Sequence, residues 1–178
     1  MGSSRFALLC ALALALPAAC ARSTLEGSVA DEHGATDATT ELDFWDGLAT
    51  QTMVSNHDAL HALLLYFGGK ERPTDYAGRL RAAQKKGWVR EGATMPPNET
   101  ARVGWIARAI CMEAGIEGGL TMRAIGPHER YAVRELNYMG WLPEMSGQQS
   151  ISGGQLLAVL GRADDYRASR SDKPKGDS

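Results

Sequence analysis

Between Leu42 and Tyr166 the apolar residues recur at helical spacing, and no run of alternating β-branched residues interrupts them. After Ser152 the set Leu156, Val159, Leu160 and Ala163 follows the order i, i+3, i+4, i+7. From Thr100 the set Val103, Ile106, Ala107, Ile110, Cys111 and Ala114 keeps that order for three turns. A stripe of this period buries one side of a helix and nothing else, so the pattern predicts an all-α fold. The segment is long enough for one hydrophobic core and too short for two.

Local chemistry marks where the helices begin and end. Ser55-Asn56-His57-Asp58 and Ser152-Gly153-Gly154-Gln155 each place a hydroxyl at the cap and an acceptor three residues later, the pattern of a capping box. A third start follows Pro96-Pro97-Asn98-Glu99-Thr100. A fourth is expected at Pro127, whose missing N–H costs nothing in a first turn. Stops are expected at Gly68-Gly69, Gly87, Gly115 and Gly140, because glycine enters the left-handed cap conformation without steric cost. The result is a small bundle of five or six short helices. Gly87-Trp88-Val89 and Gly140-Trp141-Leu142 each end a helix and lead through proline to a new hydroxyl-capped helix, so the bundle reads as two or three degenerate helix-loop-helix repeats.

The repeat carries a family resemblance. Leu80, Gly87-Trp88-Val89, Gly92, Pro96-Pro97-Asn98, Thr100 and Trp105-Ile106-Ala107-Arg108-Ala109 resemble an S-layer homology repeat, and Tyr131 to Ala163 resembles it more weakly through Gly140-Trp141-Leu142, Ser152 and Arg162-Ala163. The resemblance covers about 90 residues and implies noncovalent attachment to cell-wall polysaccharide. It also implies an Arg directly after the capping hydroxyl as part of the ligand site. Here the sequence departs: Ala101 follows Thr100 with Arg102 one place later, and Gly153 follows Ser152.

Ahead of the helical segment, residues 1–19 combine Arg5, an apolar run from Phe6 to Leu16 and small residues before Cys20. The run is shorter than the roughly 20 residues that span a bilayer, so it reads as a cleaved export signal of lipoprotein type with Cys20 as the lipidation site. Ordinary cleavage after Ala21 would remove Cys20 and leave a secreted or periplasmic soluble protein. Residues 20–41 are polar and small with Leu25 and Val29 as the only large aliphatics, and are expected to form a flexible linker. Residues 167–178 are expected to be a disordered tail. The predicted location is the cell envelope, with the membrane as partner through the N-terminal lipid.

Lys and Arg number 19 against 21 Asp and Glu, and no basic block of five or more occurs, which excludes a phosphate-binding stripe for nucleic acid. Cys10 leaves with the leader and Cys20 is lipidated or removed, so Cys111 has no intramolecular partner and is read as a small buried hydrophobe.

Several residues invite a chemical reading. His57-Asp58-Ala59-Leu60-His61 places two histidines at i and i+4 and resembles HExxH with Asp for Glu, but Asp58 is the capping acceptor and His57 is expected to face solvent from the first turn. Gly115 to Gly126 lacks a preceding strand and a Lys-Ser/Thr pair, so it reads as a helix connection and not as a phosphate loop. Arg130 and Arg134 are four apart, the spacing of a joint anion site, but Glu129 and Glu135 are near enough to pair with them, and structural ion pairing is the first expectation with ligand binding as the alternative. Trp88 and Trp141 follow glycine caps and are assigned to the core, whereas Trp105 falls off the main stripe of its helix and is assigned to a surface. No cofactor motif and no nucleophile, base and orienter set can be assembled. The expectation is a noncatalytic binding or scaffolding module for wall polysaccharide or an envelope protein, with Arg102, Trp105, Arg130 and Arg134 as its contact residues. The rivals are a small metal-dependent hydrolase built on His57 and His61, and a protein-protein adaptor.

Overall fold

Each capping hydroxyl and glycine stop acts over only a few residues, and these local signals place the helices much as the spacing predicts. The computed structural model describes residues 22–33, 38–69 and 75–171. Among them are eight helices, more than the five or six expected: α1 (Val29–His33), α2 (Ala38–Thr50), α3 (Asn56–Gly68), α4 (Tyr76–Lys85), α5 (Val103–Ala114), α6 (Leu120–Ile125), α7 (Glu129–Tyr138) and α8 (Gly153–Ser171). The described residues contain no strand beyond three isolated antiparallel bridges. No described helix is long and apolar enough to cross a membrane.

Ser55 caps α3 as expected, accepting from the Asp58 N–H at 2.9 Å. Ser152 and Gln155 make the reciprocal bonds of a capping box, at 3.2 and 3.0 Å. The four predicted stops are glycines with φ of +67° (Gly69), +76° (Gly87), +67° (Gly115) and +68° (Gly140). Two starts differ. Thr100 is not a cap: it is buried in an extended segment bridged to Ser55, and α5 begins three residues later behind Arg102, which makes no side-chain cap bond. Pro127 lies outside α7, whose cap is His128.

The extended pieces that precede α3, α5 and α8 lie side by side. Val54 N–H donates to Ile151 O at 2.9 Å, Ala101 N–H to Val54 O at 2.8 Å and Val103 N–H to Gln149 O at 2.9 Å. Above this seam α5 packs on α3, α7 and α8, and α2 packs on α8 and α1. The core they share includes Phe44, Leu48, Leu60, Leu63, Trp88, Ile106, Ile110, Leu136 and Leu156.

The composition-based linker is built into the domain instead. Thr100 N–H donates to Ser23 O at 3.0 Å, Leu25 N–H to Asn98 O at 2.8 Å, and Ser28, Val29 and Ala30 are buried. Few apolar side chains suffice because this segment docks on a surface that α3 already presents and satisfies its polar groups there. Residues 167–171, assigned to the tail, are helical as well. Helix α8 continues to Ser171, with Arg167 over the Phe67 ring at 5.8 Å and Arg170 Nη1 donating to Gly115 O at 2.8 Å. The predicted leader, Cys20 and residues 172–178 lie outside the described residues.

Candidate functional site

The histidine pair sits at the start of α3, but its first turn does not face solvent. His57, Asp58 and His61 are 4, 1 and 3% exposed, because the 28–33 segment and α4 cover the turn from two sides. Asp58 is engaged at both oxygens: Oδ1 accepts from Ser28 Oγ at 2.6 Å and Ala30 N at 2.9 Å, and Oδ2 accepts from Ser55 Oγ at 2.7 Å. His57 Nδ1 lies 3.2 Å from the Asp31 carboxylate, and Nε2 accepts from the buried guanidinium of Arg79.

This arrangement specifies the neutral tautomer with its proton on Nδ1. Burial, and after it the neighbouring Arg79, hold the His57 pKa below its ordinary 6.5, against the opposing pull of Asp31 and Asp58. Both ring nitrogens are engaged, one of them by a cation, so the ring offers no lone pair to a metal. His61 points to different company, its ring edge-on to Phe44 at 4.3 Å between centroids. The HDALH motif is therefore a lock that fastens the N-terminal segment to α3 and α4. Tyr76 extends it, packing edge-on to His57 and donating its hydroxyl to Met95 O, while burial and then Glu99 push its pKa up to about 12.

The arginines are arranged differently. On α7 the i, i+4 spacing puts Arg130 and Arg134 on one side of the helix, along a cleft of about 390 Å³ completed by His128, Glu129, Val133, Met145 and Gln148. The carboxylates expected to neutralise them lie nearby but engage other groups. Glu129 lies 3.9 Å from Arg102, and Glu135 accepts from the Gly119 N–H at 3.2 Å. Neither Arg130 nor Arg134 has an ion-pair partner among the described residues.

Arg102 joins this surface through Glu129, and Arg22 extends it. The Arg22 guanidinium donates to Thr100 O at 2.8 Å and to Gln148 O at 2.7 Å, and lies 4.0 Å from Glu99. Burial, then the adjacent positive charge of Arg102, lower its pKa, with Glu99 opposing. Nothing in the composition of residues 20–41 singles out Arg22, since its role depends on a backbone carbonyl 126 positions away.

Trp105 does not belong to the surface. It is 1% exposed, because the first half of α5 is enclosed by three other helices and an off-stripe position there still faces protein. Trp88 is in the core as expected, with Nε1 donating to Glu113 at 3.0 Å; Trp141 is half-buried against Tyr166. The glycine-rich 115–126 connection contains α6, whose Leu120 and Ile125 are exposed. A larger recess, about 620 Å³, opens between the ends of α5 and α8, but its Arg167 and Arg170 are already held by Phe67, Gly115 and Tyr166. Comparison with protein-family models, curated proteins and solved structures finds no match.

Proposed function

We propose that the chain is a noncatalytic cell-envelope module, carried by a lipid on Cys20 after removal of residues 1–19, which contacts an anionic component of the envelope through the α7 cleft. The observation that carries this reading is the pair Arg130 and Arg134, side by side on an open surface while both neighbouring glutamates serve other groups. Two guanidiniums without ion-pair partners among the described residues, beside Val133 and Met145, suit a ligand with carboxylate or phosphate groups. The side-by-side extended segments ahead of α3, α5 and α8 support a shared plan of two or three helix-loop-helix units, and with it the likeness to S-layer homology repeats. The hydrolase reading loses its support, since its first histidine is occupied at both nitrogens.

Co-sedimentation of the purified chain with isolated envelope material tests the proposal. The wild-type protein is expected to sediment with it, and the double variant Arg130→Gln/Arg134→Gln to bind at least tenfold more weakly. Equal binding by the double variant would remove the cleft from the account. Metal-dependent hydrolysis abolished by His57→Gln would replace the account with catalysis.

A further inference from the structure

We infer that the domain lies directly on the membrane holding its lipid, with the α7 cleft against anionic phosphate-bearing headgroups and with Leu120 and Tyr138 in the interface beside it. The inference rests on the lipid-anchored reading and goes beyond it by naming which envelope component fills the cleft.

Three observations converge. The first is the leash. A flexible linker over residues 20–41 would let the domain stand off the surface in any orientation, but Arg22 is fixed through Thr100 and Gln148, and Gln148 lines the cleft. Cys20 precedes Arg22 by two residues, which reach at most about 7 Å. On the lipid-anchored reading, an acyl group on Cys20 therefore stays within that reach of the Arg22 backbone, whose side chain is fastened to the cleft residue Gln148.

The second is charge. The formal balance of the whole chain is −2, yet on this side Arg22, Arg102, Arg130 and Arg134 face Glu99, Glu129 and Glu135, a local excess of positive charge. A local excess is what a bilayer at contact senses, since charges beyond about 10 Å are screened. Each basic side chain at an anionic surface strengthens association about fivefold.

The third is shape. Arg134 also lines a second recess, about 220 Å³, with Leu120, Thr121, Tyr131, Glu135 and Tyr138, the Glu135 carboxylate accepting from the Gly119 N–H. Leu120 and Tyr138 are 86 and 88% exposed, the two most exposed large apolar side chains described. An aliphatic and a phenol flanking Arg134, next to the cleft that holds Arg130, match the layered polarity of a headgroup region. A basic patch beside a lipid also supplies the second signal that stable membrane attachment needs.

The test uses the full mature acylated chain carrying Thr121→Cys labelled with bimane. Thr121 is exposed in the second recess, and the Cys111 thiol is buried and pushed up to about 12, so the label goes to position 121. The protein is reconstituted into vesicles of phosphatidylcholine alone or with about one third phosphatidylglycerol, and read by flotation and by acrylamide quenching. The expected result is flotation with both vesicles, and quenching reduced at least fivefold on the anionic ones only. The protection should disappear in Arg130→Gln/Arg134→Gln and, for the wild-type charges, in about 1 M NaCl.

Flotation without protection overturns the inference and leaves the anchor standing. Failure to float overturns the anchored reading and the inference together. Equal protection on neutral vesicles, or protection that survives both charge removal and salt, shows that headgroup charge is not what fills the cleft. Protection by isolated wall polymer, without anionic lipid, assigns the cleft to the polymer.

Discussion

Replacing Gly153 with alanine drives a methyl group into the end of α2, since an ideal Cβ at this position lies 1.6 Å from Leu48 O and 2.6 Å from the Leu48 carbonyl carbon. Non-bonded carbon and oxygen atoms need roughly 3.5 Å, so the start of α8 must retreat by about 2 Å. That retreat also stretches the bond from Gly153 N–H to Gln51 O, now 2.9 Å. Overpacking of a rigid backbone contact costs about 1–3 kcal/mol, and a buried hydrogen bond about 1 kcal/mol. Against this, alanine in place of glycine favours the helix by up to about 1 kcal/mol. The net expectation is a loss of about 2 kcal/mol, a fall in Tm of about 4–8 °C by differential scanning calorimetry. Gly161 supplies the control on the same helix. It is exposed, its Cβ position has no atom within 4 Å, and Gly161→Ala should raise the stability by about 0.5–1 kcal/mol. If Gly153→Ala is neutral or stabilising like Gly161→Ala, the close approach of α2 and α8 is wrong, and with it the packing that seats the seam.

Three further outcomes check the lock and the core. Asp58→Ala strands the Ser28 hydroxyl, the Ala30 N–H and the Ser55 hydroxyl, and should cost about 3 kcal/mol in urea unfolding while exposing residues 22–33 to protease. Because the His57 pKa is held below 6.5 in the folded chain, the unfolded chain takes up its proton first as pH falls. Its contribution to stability is therefore complete above pH 6.5 and lost below it as pH falls through the folded value, and unfolding midpoints for His57→Gln should fall less steeply with pH than those of the wild type. Burial, then Glu135, push the Cys111 thiol from 9.0 to about 12, so at pH 8 the folded chain holds about a thousandfold fewer thiolates than the unfolded one. Iodoacetamide should label Cys111 at an appreciable rate only in denaturant.

Much of the architecture was legible in advance because its signals are short-ranged. Ser55 and Ser152 cap the helices they precede, and the glycines at 69, 87, 115 and 140 turn the chain where expected, since hydroxyl bonds and left-handed backbone involve only three or four neighbouring residues. Of the contact residues, Arg130 and Arg134 share a cleft because i, i+4 spacing is also local. Their freedom from Glu129 and Glu135 was not legible, since it depends on Arg102 and Gly119 arriving from other parts of the chain.

The amino-acid order alone therefore determined that this protein is helical, where most helices start and stop, and which side chains share a helix face. Tertiary structure decided which faces meet water. It buried Trp105 by enclosing α5, sealed His57 under α1 and α4, and drew the apparent linker into the domain through Asp58. The physical reason is range: capping and periodicity act within a turn or two, whereas burial and charge compensation are sums over neighbours that only the completed packing brings together.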